Sequence, residues 1–153
     1  MDEALSAAYE LRRAMLGDAY VDAQKAETDP VAQDFQDHIT RQAWGVWTRG
    51  GPLSTRDRSL LVLAMTAALG RMEEFKLHAS AQARTGVSDA ELDELLFQVA
   101  AYCGAPAAIS AKRALREVRA TRAADAAAAD TSVPADTTVP ADTSVPAAAS
   151  TEA

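Results

Sequence analysis

Glu74 and His78 stand four residues apart in the run Arg71-Met-Glu-Glu-Phe-Lys-Leu-His78. If that run is helical, the two side chains share one face, one turn apart. A carboxylate beside an imidazole can hold, orient and move a proton near neutral pH. The same spacing also suits a plain surface pair worth about 0.2–0.5 kcal/mol. Met72, Phe75 and the stretch 77–81 favour a helix packed on more than one side, which sets His78 near a core.

Other groups could serve the same chemistry. Arg56 and Arg58 flank Asp57 at the start of a strong helical pattern. A helix N-terminus attracts anions, and arginine adds paired donors that fit a carboxylate. An ordinary salt-bridged cap reads equally well. Arg41, close to Trp44, is a third candidate cation. His38, three residues after Phe35, is a second candidate acid–base group or a structural or exposed histidine. Trp44 and Trp47 could wall a pocket or fill a core or subunit interface. Cys103 follows Tyr102 at a helix end and reads as a buried small apolar residue rather than a nucleophile. With only two histidines, 40 residues apart, the chain offers a poor case for a metal site. It has no phosphate-binding loop, dinucleotide turn or HExxH motif.

The elements that must position these groups are helical. Aromatic residues make up 5% of the 153, and alanine and leucine dominate the apolar set. Apolar spacing predicts a helix over 3–16 ended by Gly17, a polar stretch over 18–29 with room for a short helix, and a helix opened by Pro30. Gly45, Gly50, Gly51 and Pro52 mark a loop containing Trp47. Ser54-x-x-Asp57 resembles a capping box, with Asp in place of the usual Glu or Gln. The helix it opens is apolar nearly all round and should be buried centrally. Further helices are expected over about 72–85, from Ser88 to Gly104, and over about 105–122.

After Arg122 the chain changes character. It carries no Lys or Arg there, and Ala129-Asp-Thr-Ser-Val-Pro134 is followed by two more copies of the same six-residue pattern, ending at Pro146. Such a segment has little to bury, so a disordered acidic tail over 124–153 is expected beside a helical domain over 1–123. Of the 22 acids, five lie in that tail, leaving 17 against 15 bases. A near-neutral body gives no electrostatic case for nucleic acid or an anionic membrane. The N-terminus has no apolar signal core, and no apolar run is long enough to span a bilayer. One cysteine excludes an internal disulfide. A soluble cytoplasmic protein is expected.

Taken in order, ITRQAWG, TRDRSL, EEFKLH, GVSDAEL and YCGAPAA resemble the carboxymuconolactone decarboxylase family. The resemblance begins in YELRRAMLGDAYVD and runs to about Val118. It implies an all-α, alkylhydroperoxidase D-like fold and a homo-oligomer, commonly a hexamer built as a trimer of dimers. Peroxidases of the wider superfamily carry two cysteines and an upstream glutamate near the histidine. Those positions fall here at Arg71, Glu74 and about Ser59, so the redox apparatus is missing, while the histidine position is His78. The implied reaction is loss of CO2 from a lactone carboxylate, a small molecule whose own ring takes up the electrons, with no cofactor. The resemblance thus points to His78 and Glu74 for proton or oxyanion work, to Arg58, Arg56 and Arg41 for carboxylate contacts, and to Trp44 or Trp47 for a less polar wall.

Overall fold

The computed structural model describes residues 2–25 and 29–131. Every regular element among them is helical: α1 Glu3–Leu16, α2 Asp18–Lys25, α3 Pro30–Ala43, α4 Gly45–Thr48, α5 Thr55–Ala68, α6 Met72–Ser80, α7 Gln82–Thr85, α8 Asp89–Cys103 and α9 Ala105–Thr131. The all-α expectation holds. The repeats beyond Thr131, and the tail reading attached to them, lie outside the described residues.

Local chemistry sets the helix starts. Asp2 accepts from the Leu5 amide and Asp29 from the Val31 amide, with Pro30 at the first turn of α3. Both capping boxes form. Ser54 and Asp57 satisfy each other's backbone amides at α5, so aspartate closes the box as glutamate would; Ser88 and Glu91 do the same at α8.

Three boundaries differ from the sequence reading. The loop around Trp47 contains a helical turn, α4. The helix expected over 72–85 is two, α6 and α7, broken at Ala81 and ended where Gly86 takes a left-handed conformation (φ 78°). The last helix runs on to Thr131, because Ala123–Ala129 is a strong helix former that needs no packing partner to continue a helix already begun.

The main core joins α5, α6, α8 and α9. Phe75 and Leu63 sit at its centre, against Leu92, Leu95, Val99 and Leu115. Ala67, Ala79, Ala111 and Ala114 are fully or nearly fully buried, and their small size lets the helices approach closely. A second cluster of Leu5, Tyr9 and Val21 ties α1 to α2. Helix α5 departs from expectation. Its Ser59, Leu63 and Ala67 face is buried, whereas Leu61 and Met65 are 46% and 53% exposed and Leu69, just past its end, is 73% exposed. A helix flanked by α6, α8 and α9 on one side has no element among the described residues to cover the other.

Candidate active site

Helix α6 carries His78 one turn beyond Glu74, as its spacing requires. The aromatic walls come from α3 and α4. Trp44 caps the C-terminus of α3 and leads into α4, and Trp47 follows three residues later. Three rings therefore meet. The His78 ring lies 5.7 Å from Trp44, planes 25° apart, and 6.5 Å from Trp47, planes 21° apart. The two indoles are 5.5 Å apart.

This setting decides the state of the imidazole. Burial among the rings pushes the His78 pKa below its ordinary 6.5, and the negative charge of Glu74 acts in the opposite direction. Desolvation wins because Glu74 is exposed and its field is screened by water. Among the described residues no hydrogen bond joins the two side chains. At neutral pH His78 is therefore mainly an uncharged imidazole: one N–H donor and one acceptor beside an apolar wall.

The expected cations are placed differently from one another. Arg58 reaches back from α5 to the loop, donating Nε to the Leu53 carbonyl at 3.1 Å and Nη2 to the Gly50 carbonyl at 2.6 Å, and bonding the Val46 carbonyl through Nη1. It braces the turn that carries Trp47. Arg56 turns to Glu91 on α8 and to Asp57. Arg41 pairs with Asp2 at 2.6 Å. His38 is exposed on α3. The structure thus brings His78, Trp44 and Trp47 together, places Glu74 one turn away, and ties Arg58 to the same turn through backbone. Among the described residues, no group of three or more His, Cys, Asp or Glu side chains is placed to hold a metal ion.

A second polar group lies around Thr40, one turn before Trp44 on α3. Arg12 of α1 is only 6% exposed and donates to Thr40 Oγ1 at 3.0 Å. The Gln36 amide, turned to present its oxygen, accepts from Arg12 Nη2 at 2.8 Å. The Tyr9 hydroxyl donates to Asp37 at 2.6 Å alongside. Burial and the Asp37 carboxylate raise the phenol's pKa. Thr40 precedes Trp44 by one turn, so this network fixes α3 where it delivers the indole to His78. Sequence reasoning missed Arg12, although a signal was present. Leu5, Ala8, Tyr9 and Arg12 form one i, i+3, i+4, i+7 stripe, and a charge on the buried stripe of a helix calls for partners.

Residues 33–117, the span that holds Trp44, Arg58, Glu74 and His78, match the model of the carboxymuconolactone decarboxylase family. The chain belongs to the carboxymuconolactone decarboxylase family. The alkylhydroperoxidase D-like helical fold expected from its motifs is the fold observed. The chain is 40% identical over 103 residues to 4-carboxymuconolactone decarboxylase of Acinetobacter baylyi, a stretch covering 67% of this chain and 76% of that protein. It is 35% identical over 102 residues to nitrosuccinic acid decarboxylase of Metarhizium robertsii, covering 66% of this chain and 71% of that one. Like these two relatives, the chain is a decarboxylase, a carboxy-lyase. Among the described residues no helix is long and apolar enough to cross a membrane.

Proposed function

We propose that this decarboxylase acts on 4-carboxymuconolactone and releases CO2 to give 3-oxoadipate enol-lactone, a step of protocatechuate catabolism by the β-ketoadipate route. The observation that carries this reading is the uncharged, desolvated His78 held against two indoles in a chain 40% identical to a 4-carboxymuconolactone decarboxylase.

The substrate carries a carboxylate and an acetate arm on one ring carbon, and its ring double bond is conjugated to the lactone carbonyl. Breaking the bond to the carboxylate releases CO2 and leaves an electron pair. The pair moves through the double bond to the carbonyl oxygen, forming a dienolate. A proton delivered to the carbon beside that carbonyl completes the product. Binding a dianion next to a desolvated imidazole favours the imidazolium, so the substrate draws into the site the proton the reaction consumes. His78 then donates to the dienolate, at oxygen or carbon, while Glu74 supports its charge. The departing carboxylate becomes neutral CO2, and an indole wall favours that change over an ion pair that would hold the ground state. Arg58, Arg56 and Arg41 are the candidate partners of the acetate arm, and His38 a further polar contact.

The same reading includes a homo-oligomer, a hexamer arranged as a trimer of dimers. The exposed row Leu61, Met65 and Leu69 supports it, since a face of that kind is usually covered. Light scattering would measure the mass.

The deciding experiment is CO2 release by the purified protein from 4-carboxymuconolactone, with the enol-lactone identified as product. Absence of turnover on that lactone would overturn the proposal. The 35% identity to a nitrosuccinic acid decarboxylase favours one second reading, an acid activated by a nitro group instead of a lactone. Nitrosuccinate in a parallel assay separates the two.

A further inference from the structure

A cavity of about 380 Å3 lies between α8 and α9, floored by Leu96, Ile109 and Leu115 and rimmed by Lys112, Arg113 and Arg116. The three rim cations are exposed and form no ion pair with a described acid. Their neighbours are already engaged. Glu117, which feels the charge of Arg113 and Arg116, is bound to Lys76 at 2.8 Å. Asp93 and Asp89 are taken by Arg119, and Asp89 also by Arg122. The groove is therefore apolar within and positive at its edge. The groove between α5 and α8 has the opposite rim, with Asp57, Glu91 and Glu94.

We infer that the groove between α8 and α9 receives the same chain's C-terminal segment, through the repeat Ala141–Pro146. Charge and length both support this. Residues 132–153 hold Asp136, Asp142 and Glu152 and no base, and each repeat joins an acid to an apolar Val-Pro pair. Arg116 lies 15 residues before Thr131, about 22 Å back along α9, and Lys112 about 28 Å back. Extended chain covers about 3.3 Å per residue. Asp136, five residues past Thr131, reaches about 17 Å and falls short. Asp142, at 11 residues, reaches about 36 Å and spans the distance to Lys112. The acid meets the cationic rim while Val145 and Pro146 cover the apolar floor. Exposed ion pairs are individually weak. Tethering compensates, because a short covalent link holds the segment at an effective concentration of about millimolar. The contact is accordingly sensitive to salt.

Carbodiimide cross-linking of the full chain tests this, since Lys112 is one of three lysines and Lys25 and Lys76 have partners of their own. The expected product is an Asp142–Lys112 amide formed within one chain, as read by mass spectrometry on a mixture of 14N and 15N protein. Its yield should drop about tenfold in 1 M salt, where the screening length is about 3 Å, and equally in an Arg113→Glu/Arg116→Glu variant. In a separate measurement, Asp142→Asn should speed acetylation of Lys112 two- to threefold in the otherwise native protein. No tail link to Lys112, links only between copies, or yields unchanged by charge reversal would overturn the assignment.

Discussion

The Trp44 indole lies 5.7 Å from the His78 imidazole with the two planes 25° apart. These residues are 34 positions apart in the chain, Trp44 at the junction of α3 and α4 and His78 on α6. Burial at this position holds the His78 pKa below its ordinary value.

Replacing His78 by Ala should leave the helical fold intact, because the ring is only partly buried and Phe75 and Ala79 anchor α6 in the core. Turnover of the lactone should fall by about 100-fold or more if His78 delivers the proton. Circular dichroism and a progress curve check both halves. Turnover close to that of the native enzyme would remove His78 from the mechanism.

Substituting Trp44 by Leu should let water reach the imidazole. The His78 pKa, depressed by burial, should then rise toward 6.5. An NMR titration of the His78 ring protons reads this directly. An unmoved pKa would mean that Trp44 is not the source of the desolvation.

The pH profiles should separate. With a protonated His78 as the acid, kcat/KM falls as pH rises through the free enzyme's depressed pKa, below 6.5. In the complex the bound dianion raises that pKa, so kcat falls at higher pH than kcat/KM does. Stability has its own sign. Between the depressed folded pKa and 6.5, the unfolded chain binds more protons at this residue than the folded one. Folding therefore weakens as pH drops through that window, and His78→Gln should flatten the slope of Tm against pH. Superimposed kcat and kcat/KM profiles would exclude substrate-driven charging.

Thr40→Val should cost about 1–3 kcal/mol, because it leaves the buried Arg12 guanidinium short of an acceptor. Arg12→Met with Thr40→Val should restore part of that loss, since removing both partners leaves less unsatisfied than removing one. Urea denaturation of the two single variants and the double variant completes the cycle. Strict additivity would show that the pair is not coupled. If the network positions Trp44, Thr40→Val should also shift the pH profile of kcat/KM.

Arg58→Ala should release the carbonyls of Val46, Gly50 and Leu53 and loosen the turn bearing Trp47. Loss of a brace lowers Tm and kcat together. Loss of a substrate contact raises KM with Tm unchanged. Kinetics combined with thermal melts distinguish the two roles for this arginine.

The helices were legible because their signals are local. Ser54 and Ser88 close their boxes within four residues, and Leu92, Leu95 and Val99 recur at the helical period. The boundary between α6 and α7 was not, because the break at Ala81 carries no Gly or Pro. The face of α5 was misjudged for another reason. An apolar pattern states what a helix can bury, whereas the number of neighbours available decides what it does bury.

For the site, the sequence alone singled out the candidate pair and the family, since Glu74 and His78 share a helix face by spacing and the motifs lie in order along the chain. It also placed Trp44 and Trp47 near each other. Only the tertiary structure decided that both indoles close on His78, that Arg58 spends its donors on backbone carbonyls, and that Arg12 lies buried against Thr40. The physical reason is that a pKa, a stacked ring or a buried charge is a property of surroundings. Those surroundings come from α1, α3 and α4, which reach α6 only when the chain folds.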